Sequence, residues 1–124
     1  MSTPSLDKIE DEIAREVMRV HEDAYGCPAS GFQVAIHDTF VAVVTEVKLT
    51  PAEETLVRAG NGEAVRTTRE EFAHVIRADY EEIVERATGR RVEAFASRAA
   101  IEPERPWGAE IFLLAPAVAE ASAE

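Results

Sequence analysis

With 124 residues the chain is long enough for a conventional core in one domain, and its lone cysteine, Cys27, excludes an intrachain disulfide framework. Thirteen Lys and Arg against 24 Asp and Glu leave a net charge of −11, a field that repels phosphate backbones and argues against a nucleic-acid partner. No apolar run approaches the ~20 residues that span a bilayer, and Met1 to Leu6 lacks a signal-peptide pattern, so the expectation is a cytoplasmic protein with no direct membrane insertion.

In chain order, Leu6, Ile9, Ile13, Val17, Val20 and Ala24 are spaced by 3, 4, 4, 3 and 4 residues, which makes one narrow apolar stripe on a helix. Thr3 before Pro4, or Ser5 before Leu6, supplies its start, and Gly26 with Pro28 its stop. Such a seam either lies on a sheet or meets the same seam of a second chain. Phe32, Val34 and Ile36 then alternate with Gln33, Ala35 and His37 as a half-buried strand, and Asp38-Thr39 turns the chain. Phe40 to Leu49 reads as a second strand, apolar on both faces through Val44. A strand of that kind is central or covered on both sides, a first sign that helices alone do not cover the sheet.

Leu49-Thr50-Pro51-Ala52-Glu53 is the sharpest punctuation in the chain. A strand ends, Thr50 caps, Pro51 fits the first helical position and Glu53 completes a capping box. The helix so opened turns Ala52, Leu56 and Ala59 inward and ends at Gly60-Asn61-Gly62. A longer helix follows from about Glu63 to Thr88, closed by Gly89, with the stripe Val65, Phe72, Ile76, Tyr80, Ile83 and Ala87. At 1.5 Å per residue it would span about 39 Å, more than the ~28 Å expected across a body this size, so it must cross the whole domain or project toward another chain.

Arg91 to Ala100 and Gly108 to Ala115 read as a third and fourth strand around a loop, Pro103 to Trp107, whose prolines cannot donate to a ladder. The expected fold is α+β: two layers, a four-stranded, mostly antiparallel sheet, element order α-β-β-α-α-β-β, helices mainly on one face. Residues 1–115 form the domain, and 116–124 read as a flexible acidic tail.

No arrangement of side chains reads as catalytic, and none as a metal or cofactor site. His21, His37 and His74 stand apart, and no third or fourth metal ligand is placed beside any of them. Ser30, Ser97 and Thr45 lie in no nucleophile elbow, and Gly60-Asn61-Gly62 lacks the following Lys of a phosphate loop. The electrostatic oddity is the long helix, with Arg66 and Arg69 near its N-terminus and Glu81, Glu82 and Glu85 near its C-terminus, against the macrodipole. Glu63 with Arg66 and Glu82 with Arg86 are local pairs that offset part of this. Arg66 and Arg69 are therefore candidates to meet acidic groups of a second chain or a small anion. A rival function, binding a small molecule or anion, would place its pocket near Arg66, Arg69, Arg98 and Trp107.

Tyr25-Gly26 with Pro28, Leu49 to Glu53, Leu56, Arg69, Thr88-Gly89 followed by Val92, and Ile111-Phe112-Leu113-Leu114 stand in a distinctive order and spacing. In these the chain resembles the MpsC-like domain family, small bacterial proteins named after the third component of a sodium-translocating, membrane-potential-generating system. Where the family tends to carry a second glycine before the proline, this chain has Cys27. The resemblance implies a domain associated with ion or inorganic-carbon transport across a membrane, and brings no catalytic residues with it. The expected function is a non-enzymatic interaction or regulatory module that works as a homodimer, with a membrane-complex protein as a further partner. Ile9, Ile13, Val17, Val20, Phe72 and Ile76 are the expected dimer interface, because one small domain has little with which to cover them.

Overall fold

Ser5 begins α1 (Leu6–Tyr25): its hydroxyl accepts the Lys8 N–H, and Gly26, left-handed at φ 71°, ends the helix by donating its N–H to the Glu22 carbonyl. The structure, a computed structural model, describes residues 5–26, 31–102 and 104–117. The alternative start at Thr3, the Cys27-Pro28 turn, Ser30, Pro103 and the tail beyond residue 117 lie outside the described residues. β1 (Gly31–Ile36) and β2 (Phe40–Glu46) form an antiparallel hairpin, closed where the His37 N–H meets the Phe40 carbonyl at 2.8 Å.

The expected capping box opens α2 (Pro51–Arg58). The Glu53 N–H reaches Thr50 Oγ1 at 3.2 Å and the Thr50 N–H reaches Glu53 Oε1 at 2.9 Å, two orphan donors satisfied reciprocally. The inward face expected for this helix is a misreading. Ala52, Leu56 and Ala59 are exposed and α2 buries no residue, because it lies beside α3 rather than on the sheet. What holds it is an ion pair between Glu53 and Arg69.

The single long helix is also corrected. It is two helices, α3 (Gly62–Val75) and α4 (Arg77–Thr88), broken at Ile76 (φ −94°, ψ 11°). The break lets α3 lie along the third strand while α4 turns to pack on α1, so neither half overshoots the sheet. No proline or glycine marks the spot, and the apolar spacing runs through it, which is why the sequence reads as continuous.

β3 (Val92–Ala100) and β4 (Trp107–Leu114) complete an all-antiparallel sheet of order β1-β2-β4-β3. The α+β class and the element order match the sequence reading, with the last helical element in two pieces. The core lies between the helices and one sheet face: Ile13 and Val17 of α1 and Tyr80, Ile83 and Val84 of α4 close on Val41, Val43, Phe112 and Leu114. Both edge strands are capped by carboxylates from the helix layer. Glu10 accepts the Ile36 N–H of β1, while Glu70 and Glu85 accept the Ala99 and Val92 N–H groups of β3. Edge donors used in this way are withdrawn from pairing with another strand.

Candidate functional site

Because side chains alternate along a strand, the registers of the four strands sort their residues into two faces. Val34, Val43, Glu110 and Ser97 share one row under the helices. The rows of the opposite face are Gly31, Glu46, Trp107 and Ala100; Gln33, Val44, Ala109 and Arg98; Ala35, Ala42, Ile111 and Ala96; and Phe40, Leu113 and Ala94. Twelve of those fifteen residues are apolar or glycine, and only Glu46 and Arg98 are charged. No described helix lies on this side. Val44, Trp107, Ile111 and Leu113 are 41%, 40%, 38% and 46% exposed, four of the seven exposed large hydrophobic side chains among the described residues.

The local cause is visible in the sequence. Phe40-Val41-Ala42-Val43-Val44 and Ile111-Phe112-Leu113-Leu114 are apolar at consecutive positions, so β2 and β4, the two central strands, are apolar on both faces. A sheet that buries one face should alternate with polar residues on the other. This one does not. From strand spacing and rise, the open face covers roughly 400 Å² of flat area, comparable to the largest apolar patch on a typical monomer, a feature that is often functional.

The expected interface lies elsewhere and is already occupied. Ile13 and Val17 are 0% and 1% exposed, and Ile9, Val20 and Ile76 pack against the same core. Phe72 meets the Tyr25 ring edge-on at 4.7 Å. The α1 stripe thus rests on β1 and α4 of its own chain, the first of the two alternatives its spacing allowed.

Arg66 and Arg69 likewise have acidic partners within the chain. Arg69, 5% exposed, clamps Glu53 with two bonds, Nε to Oε2 at 2.8 Å and Nη2 to Oε1 at 2.7 Å, and lies 4.6 Å over the Tyr25 ring. It also donates to the Lys48 carbonyl at 3.3 Å, so one guanidinium ties α1, α2, α3 and the chain after β2 together. Burial pushes the Glu53 carboxyl up, but the bonds from Arg69 and the Thr50 backbone outweigh it and hold the group below the usual carboxylate range. Arg66 pairs with Glu63 and, at 2.8 Å, with Glu70. Arg98 shares a shallow depression with Arg66 at the start of α3 and also lines the small chamber that Arg69 lines, whereas Trp107 points to the open face. The four residues of the rival pocket do not converge.

A second polar cluster escaped sequence reading. His21, Tyr25, Thr45, Arg69, Tyr80, Ser97 and Glu110 line a chamber of about 30 Å³ between helices and sheet. Glu110, on the helix side of β4, accepts from Ser97 Oγ at 3.1 Å, and burial raises its pKa from an ordinary 4.5 to about 7. Burial first, and then the Arg69 charge, lower His21 from 6.5 to about 4, while burial raises Tyr80. The signal was present, since Glu110 stands at the same parity as Phe112 and Leu114. His37 stacks on Phe40 at 4.9 Å and His74 meets Phe95 edge-on at 5.2 Å. Among the described residues no cluster of His, Cys, Asp and Glu could hold a metal ion, and no helix is long and apolar enough to cross a membrane.

No curated protein and no solved structure is a match for this chain. The family model described as Na+-translocating membrane potential-generating system (MpsC) matches residues 5–115, from the cap of α1 to the residue after β4. With most of its length covered by that match, the chain belongs to the MpsC family.

Proposed function

We propose that this protein is a non-enzymatic interaction module that acts as a homodimer in the cytoplasm, in company with a membrane complex for ion or inorganic-carbon transport. The observation that carries the reading is the open sheet face, apolar across two central strands and uncovered by any helix among the described residues. Leaving such a face in water forfeits about 25 cal/mol for each Å² of apolar surface that association would bury. A two-fold assembly covers it economically, since one patch serves both copies. The link to a transport system rests on family membership. Contact with the membrane would then run through a protein partner, because a net charge of −11 is repelled by anionic lipid.

Sedimentation velocity over a concentration series tests the dimer. The expected result is a species of about twice the 13.6 kDa chain mass that dissociates only on strong dilution. A 13.6 kDa species at every concentration refutes it. A thermal-shift screen with bicarbonate, phosphate, nucleotides and divalent cations addresses the rival reading, since a ligand that binds the folded state stabilises it by mass action. A saturable shift with any of them favours a binding protein over an interaction module.

A further inference from the structure

We infer that the open sheet face is the self-association surface, with β4 of one copy lying over β4 of the second and β2 over the second copy's β3. The inference rests on the homodimer reading above and adds where and how the copies meet. Both edge strands have N–H groups taken by Glu10, Glu70 and Glu85, which disfavours joining the copies edge to edge into one wider sheet. The α1 stripe is spent inside the chain. What remains is face-to-face packing, the arrangement twisted sheets adopt at ~10 Å separation and about −30°.

The distribution of residues on the face selects a second copy over another occupant. Among the acidic residues that the strand registers place, only Glu46 falls on it, so the strong negative field that would drive two copies apart is thin where they would touch. Bulk and gap are also divided between strands. β2 and β4 carry Phe40, Val44, Trp107, Ile111 and Leu113, while β3 presents Ala94, Ala96 and Ala100. A two-fold axis along β4 sets the large side chains of β2 against the alanines of the other copy's β3 and brings Ile111 and Leu113 against their own images. The two charges obey the same operation. Glu46, which within its own chain sits 3.6 Å from the exposed Arg105, lies on β2 one row from the level of Arg98 on β3, so each Glu46 comes beside the other copy's Arg98 and would trade one loose contact for another. Arg98 is 73% exposed and sits 3.9 Å from Glu70, a loose contact that exchanges at small cost. The flat area of the two faces together, roughly 800 Å², falls below the ~1,000 Å² that a stable interface is expected to clear, and a composition more apolar than an ordinary one offsets part of that shortfall.

The test uses the full chain and sedimentation velocity on the wild type, Ile111→Lys and Val75→Lys. Val75 is 76% exposed on α3, away from the sheet face, so its variant is the control. Ile111→Lys should weaken self-association roughly 30-fold or more, the effect of burying an unpaired charge, and Val75→Lys should leave it unchanged. Loss of the dimer in Val75→Lys with retention in Ile111→Lys overturns this inference and leaves the homodimer standing. A wild type that is monomeric throughout overturns both. Because a dimer-dependent fold could be lost in Ile111→Lys, a second measurement keeps the wild-type surface nearly intact. In a Cys27→Ser background, Ile111→Cys should be joined to its image by a short bismaleimide, and Leu6→Cys, exposed on α1, should not. Efficient linking through Leu6→Cys with none through Ile111→Cys overturns the β4-on-β4 arrangement.

Discussion

Glu110 stands in an environment its type does not prefer: a carboxyl on the core side of a central strand, with Ser97 as hydrogen-bond donor and Tyr80 nearby. Its pKa rises to about 7 in the folded protein, so the fold favours the protonated form. The stability this contributes is complete below pH 4.5 and is lost as the pH rises through 7. His21 has the opposite sign: lowered to about 4, it contributes fully above pH 6.5 and loses that contribution as the pH falls. Glu110→Gln keeps the acceptor for Ser97 and removes the ionisation. The variant should therefore gain about 2–3 kcal/mol over the wild type at pH 8 and almost nothing at pH 4. Guanidinium unfolding at the two pH values checks this, and an equal gain at both would show that packing, not charge, is at work. Parity along β4 puts Glu110 on the face of Phe112 and Leu114, yet parity says nothing of how dry that position is.

α2 shows that a well-formed helix start need not mean a helix with a buried face. Thr50, Pro51 and Glu53 specify the first turn locally, and that part is fully legible in the sequence. Its apolar residues point to water because the helix is docked through Glu53, which serves as both cap and ion-pair partner. Arg69→Ala should leave the cap intact but remove the clamp, the Tyr25 contact and the Lys48 bond, costing about 3 kcal/mol of global stability. Native-state hydrogen exchange should show α2 amides opening at a free energy well below that of β2 and β4. If α2 stays as protected as the sheet, the ion pair is not its anchor. The break at Ile76 is the opposite case. Both halves have regular apolar spacing and neither Gly nor Pro intervenes, so the bend follows from what each half packs on, α3 on β3 and α4 on α1.

At the scale of the whole molecule, one sheet has two apolar faces and one helical layer. The helix-side face explains the stripe of α1, and Ile13→Ala should cost about 2–5 kcal/mol through cavity formation. The dimer mass should survive that change, since Ile13 is 0% exposed and belongs to the core. Chemical denaturation read together with sedimentation checks both halves of the statement, and a loss of dimer without a loss of stability would return the α1 seam to the interface. The surplus of apolar surface is legible in β2, whose first five residues are apolar without alternation. Its location is not. The narrow helical stripe competes equally well for the role of interface until it is known which side of the sheet the helices occupy.

The sequence by itself determined the order of the elements apart from the break at Ile76, the Gly26 stop of α1, the capping box of α2, family membership and the presence of more apolar surface than one helical layer covers, because each depends on residues close together in the chain. Only the tertiary structure decided the strand order β1-β2-β4-β3, the bend at Ile76, the pairing of Arg69 with Glu53 and the burial of Glu110. Those depend on groups distant in sequence, such as residues 53 and 69 or 97 and 110, whose proximity is set by which faces meet once the hydrophobic surfaces have found one another. The same packing placed no described helix on the back of β2 and β4.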